Sequence, residues 1–136
     1  YYFKGKPTGG TDVPDEGKLF ATTYGKDGIR KVLLQSNPKA VAEVQKLKEE
    51  FANKATANVQ KEQVIKEEYK KRLSDIKNAD YTPSVVIKAS DKATYDNLIQ
   101  VLDEMQLCNI GRYVIDKFAG GDQAKIDAYK QNPGAQ

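Results

Sequence analysis

Residues 84–116 read SVVIKASDKATYDNLIQVLDEMQLCNIGRYVID, and the order of patterns in them sets the fold. Val85, Val86 and Ile87 are consecutive β-branched residues in the short run SVVIKA (84–89), which predicts a buried central strand. Thr94 follows as a helix cap. Tyr95, Leu98, Ile99, Leu102 and Met105 then recur at offsets of three and four, with Asp96, Gln100, Asp103 and Glu104 placed outside. Asn109 and Gly111 supply the stop signal. The run RYVIDKF (112–118) predicts a last strand, with Tyr113, Ile115 and Lys117 on one side and Val114, Asp116 and Phe118 on the other.

Toward the amino end, Tyr1, Tyr2 and Phe3 predict a strand, followed by a long Gly/Pro-rich loop reaching Gly17. Residues 19–24 (LFATTY) suit a returning strand or an extended approach to a helix. That helix begins at Gly28, capped by Asp27, with Ile29, Val32, Leu33 and Ser36 inward and Arg30 and Lys31 outward. Asn37-Pro38 then starts a different helix, because the missing proline N–H is no loss in a first turn. Residues 39–78 are rich in Lys, Glu, Ala, Gln and Asn and contain neither glycine nor proline, the make-up of long solvent-exposed helix. Val41, Val44, Leu47 and Phe51 form one thin stripe, and Ile65, Tyr69, Leu73 and Ile76 form another. The run NKATAN (53–58) between them has weak periodicity, so the segment is either a helical hairpin or one long bent helix. Residues 119–136 read as a weakly structured tail in which residues 122–130 can form one weak helix.

Composition removes several chemistries. The chain has 136 residues and no histidine, which excludes Ser-His-Asp and Cys-His nucleophiles, histidine metal sites and a histidine pH switch. Cys108 is the single cysteine, so no internal disulfide forms, and its place after a helical stripe marks a buried, inert thiol. Gly9-Gly10 and Gly120-Gly121 lack the spacing of phosphate loops. Asp103 and Glu104 diverge by about 100° around a helix, too far to share a proton, and read as a solvated face. Asp91 and Asp96 suit the positive end of a helix dipole. Lys70, Lys71 and Arg72 are flanked by Glu67, Glu68 and Asp75, and a net charge of +3 with a pI near 8.8 lies below the range that signals nucleic acid. The eight tyrosines, in a chain without tryptophan, supply amphipathic side chains common at partner surfaces. No catalytic, cofactor or metal residue is assigned. No run of about eighteen apolar residues is present, and a strand at the first residue suggests that the chain starts within a longer protein.

The strand ending in Lys88-Ala89, the Tyr95-Asp96-x-Leu98 helix start, the Val101-Leu102-Asp103 body and the Ile110-Gly111 step before a final strand together resemble the periplasmic domain of the ExbD/TolR family of biopolymer-transport proteins. YYFKGK (1–6) and DGIRKVL (27–33) extend the resemblance to the family's earlier hairpin and first helix. An enlarged loop after Lys6 and the insertion at 39–78 depart from the common pattern, the insertion being similar to Bacteroidetes-type members. The resemblance implies a single transmembrane helix ahead of this segment, an ExbB-type channel partner, a periplasmic location, homodimerisation and contact with a TonB-type protein. TolR-like members instead hold peptidoglycan.

The expected fold is therefore α+β in two layers: two helices on one face of a small mixed sheet, within a domain at 1–118, with the 39–78 insertion protruding. With no catalytic constellation in view, the expected function is docking at a sheet edge rather than catalysis, the strand at 112–118 offering Arg112, Tyr113, Val114, Ile115 and Asp116 to a partner. A proline at Val114 is expected to weaken association. A peptidoglycan-binding module is the competing class, and an enzyme built on two perturbed carboxylates is a remoter one.

Overall fold

A computed structural model describes residues 1–5, 15–54 and 58–133. Its elements are α1 (Ile29–Gln35), α2 (Pro38–Ala52), α3 (Val59–Lys77), β1 (Val85–Ala89), α4 (Tyr95–Leu107), β2 (Tyr113–Lys117) and α5 (Gly120–Gln131). β1 and β2 pair in parallel, Val85 opposite Tyr113 through Ala89 opposite Lys117. A parallel pair needs a crossover, and α4 provides it. The Thr94 cap is reciprocal: Asn97 N–H donates to Thr94 Oγ1 at 3.2 Å and Thr94 N–H to Asn97 Oδ1 at 3.0 Å.

The core lies between the sheet and the pair α1 and α4. Leu33, Ile87, Met105, Cys108 and Ile110 are buried there, with Val85, Leu98, Val101, Leu102 and Tyr113 packed around them. Ile87 points inward at 8% exposure, whereas Val86 on the opposite face is 57% exposed. This is the expected α+β arrangement of two helices on one sheet face, but among the described residues the sheet is two parallel strands rather than mixed, and β1, buried only at Ile87, is not a central strand.

The expected amino-terminal strands shrink to one antiparallel bridge, in which Tyr2 and Phe20 exchange backbone bonds of 2.9 and 2.8 Å and stack their rings at 5.4 Å. The enlarged loop after Lys6 lies outside the described residues. At α1 the cap is not Asp27. Gly28 occupies the cap position without a side-chain bond, and Ile29 N–H donates to Thr23 O at 2.8 Å. Gly28 is pressed so closely on the Thr23 carbonyl that a Cβ would collide with it.

The 39–78 segment is a hairpin and not one bent helix. Phe51 meets Tyr69, Glu50 meets Arg72 and Lys54 meets Glu68, so rising numbers on α2 pair with falling numbers on α3. Asn58 caps α3 by accepting from Gln60 and Lys61 N–H at 3.1 Å each, and residues 55–57 of the expected turn lie outside the described residues. The buried α2 stripe is Ala40, Val44 and Leu47, with Val41 displaced to 36% exposure. α3 buries no residue, as its polar composition requires. α5 covers the expected weak helix and also buries nothing. It is tied down by Lys88 Nζ to Asp122 Oδ1 at 3.0 Å, by Tyr1 against Tyr129 and by Lys125 over Phe3.

Candidate docking edge

The direction of each β2 backbone group follows from the register. Val85 N–H donates to Arg112 O at 2.9 Å. With Val85 opposite Tyr113, the slanted parallel ladder then directs the N–H groups of Val114 and Asp116 toward β1. Those of Tyr113 and Ile115 point to the outer edge. Lys117 N–H, the next outward donor, is occupied by Asp116 Oδ1 at 2.8 Å. The usable edge is thus about three residues long, Tyr113 to Ile115.

This strand is clasped by neither layer. Val114 is 59% exposed on the outer face, beside Val86, and Ile115 is 54% exposed on the opposite face, where the helices cover Ile87 but not its neighbour. Two apolar side chains on opposite faces of an edge that no described strand pairs are what an added strand would cover. Val114 is the wrong place for a proline test, since its N–H serves the β1 ladder, whereas Ile115 isolates the outer edge.

The five expected docking residues divide by orientation. Tyr113 half-buries against the core, Val114 and Ile115 are open, and Asp116 closes the edge at Lys117. The Arg112 guanidinium turns away, its Nη1 donating to the carbonyls of Ala79, Asp80 and Thr82 at 3.3, 3.3 and 3.4 Å. Its backbone starts the ladder while its side chain holds the strand in place.

The main polar site of the core is one that periodicity misassigned. Glu104, expected on a solvated face, is 5% exposed, and Arg30, expected outward, reaches it with Nε at 2.7 Å and Nη2 at 3.0 Å. Gly25 N–H adds a third bond at 3.3 Å. The hydrogen bond from Arg30 holds the carboxyl below its ordinary range against the opposing effect of burial. A signal existed: Glu104 lies three residues after Val101 and four before Cys108, on the face that α4 turns to α1. The pair joins these two helices and leaves neither charge free to act on a substrate.

Cys108 is fully buried, with Sγ 3.7 Å from the Arg30 carbonyl, and burial together with the Glu104 charge pushes its thiol up to about 11. A thiol-specific reagent at pH 7.5 is therefore expected to label it only as fast as the domain opens, and complete in seconds in denaturant. Labelling at the rate of a free thiol in the native state would contradict this. Among the described residues no group of three His, Cys, Asp or Glu side chains is placed to hold a metal ion, and no helix is long and apolar enough to cross a membrane.

The family model described as biopolymer transport protein ExbD/TolR matches residues 19–119, from the Phe20 bridge through β2. No curated protein and no solved structure matches the chain.

Proposed function

Since the chain belongs to the ExbD/TolR family of biopolymer transport proteins, we propose that it is the periplasmic, force-transmitting part of an inner-membrane energy-transduction complex. In this reading an ExbB-type channel protein drives the motion through a transmembrane helix joined to this domain, residues 1–118 with the 39–78 insertion. The outer edge of β2 receives an extended segment of a TonB-type protein at Tyr113, Val114 and Ile115, with Arg112 holding the strand in place and Asp116 closing its far end. The observation that carries this is the pair of outward N–H groups at Tyr113 and Ile115 between the exposed side chains of Val114 and Ile115. Backbone bonds would give affinity and the alternating side chains selectivity. A homodimer would use the same edge, so sedimentation with and without a TonB-type periplasmic segment distinguishes the two occupants by mass.

The TolR-like reading has one observation of its own. Residues 39–78 carry ten Lys and Arg against seven Asp and Glu, which is the whole net charge of the chain. A basic arm suits the anionic peptide stems of peptidoglycan. Co-pelleting with purified peptidoglycan tests it: the docking reading expects the domain to stay in the supernatant while still binding the TonB-type segment.

A further inference from the structure

The root of the hairpin grips the stretch of chain that feeds the docking strand. Asn37, 1% exposed at the start of α2, does not cap that helix; its Nδ2 donates to Cys108 O at 2.9 Å and Asn109 O at 3.3 Å. At the other root, Gly111 N–H donates to Lys77 O at 3.0 Å and Lys77 Nζ to Gln106 Oε1 at 3.0 Å. The Asn78 side chain lies against Gly111, where a Cβ would come within 2.8 Å of its Oδ1. Arg112 then spans the carbonyls of Ala79, Asp80 and Thr82, and buried Thr82 bonds back to Ile76 O at 2.8 Å. Apart from the Thr82–Ile76 bond, these bonds fall on residues 106–112, immediately before β2, and come from both roots of the hairpin.

We propose that the α2–α3 hairpin is the brace that holds β2 extended and ready for docking, with Arg112 as its principal positioning residue. The inference rests on the edge-docking reading for its purpose, but the bracing itself is a property of the isolated domain. Among the described residues β2 has one ladder neighbour, and two of its apolar residues are open to water, so the contacts at its entry carry much of the work of holding it straight. An edge already ordered binds an extended segment more tightly than one that must be ordered on contact. The brace uses the root alone, so the distal hairpin is dispensable to it.

Residue-resolved hydrogen exchange tests this. In Arg112→Gln, exchange at the β1-facing amides of Val114 and Asp116 is expected to rise about ten-fold while α4 amides are unchanged. Arg112→Lys, which can reach a single carbonyl, should recover part of the protection. A chain in which a three-residue turn replaces residues 53–67 should exchange at β2 like the parent. If Arg112→Gln is too poorly folded to measure, Asn37→Ser, which removes the Nδ2 bonds to the Cys108 and Asn109 carbonyls, serves the same purpose. Unchanged exchange at Val114 and Asp116, or equal loosening of α4, would overturn the brace. Faster exchange at β2 with undiminished binding of the TonB-type segment would leave the brace standing and remove the docking edge instead.

Discussion

Arg30→Met is expected to lower the thermal midpoint at pH 7 by about 10 °C, a large effect because removing one partner leaves the other charge buried. In the parent, Glu104 keeps its carboxyl below the ordinary 4.5 through the Arg30 bonds. Stability from a depressed carboxyl is complete above its unfolded value and is lost as pH falls through the folded one, so this contribution fades below about pH 4.5. In the variant, burial dominates and raises the same carboxyl, with the Gly25 N–H as its remaining hydrogen-bond donor, and protonation becomes favourable to the fold. The difference in midpoint between parent and variant should therefore narrow from pH 7 to pH 4. A constant difference would show that Arg30 contributes packing and not charge. The double change Arg30→Met with Glu104→Met should recover much of the loss, as apolar replacements of buried pairs commonly do.

The second large effect concerns the docking edge. Ile115→Pro removes one outward N–H and leaves the donors that face β1 in place, so affinity for an extended partner segment should fall about ten-fold or more with helix content unchanged by circular dichroism. Val114→Pro should also unfold the β1–β2 ladder, since that residue's N–H serves it. Equal binding by the parent and by Ile115→Pro would mean that the partner does not add a strand here.

These two sites show what the sequence discloses and what it withholds. Thr94, the Leu98–Leu102–Met105 stripe and the Val85–Ile87 run are local signals, so β1, α4 and β2 are legible without any knowledge of partners. The same holds for the two helical stripes of the insertion, though not for their register: Ala40 replaces Val41 on the buried face because α2 closes on its neighbours at that small residue. Polarity normally places a helical residue such as Glu104 outside, and here a cation from another element, Arg30, reverses that. Asn37 has the composition of a cap, yet its amide is drawn off to carbonyls about seventy residues away. The amino-terminal run YYF has full strand propensity but finds a single bridging partner in Phe20. The docking residues were found as a strand, while the division between inward and outward N–H groups required the pairing register.

That division gives the most direct test of the central claim. Amide signals of β2 should be followed as a TonB-type periplasmic segment is titrated into the labelled domain. The account expects new protection and shifts at Tyr113 and Ile115, with Val114 and Asp116, already bonded to β1, changing little. Binding that leaves Tyr113 and Ile115 exchanging freely, with its perturbations confined to the hairpin or to α5, would contradict it.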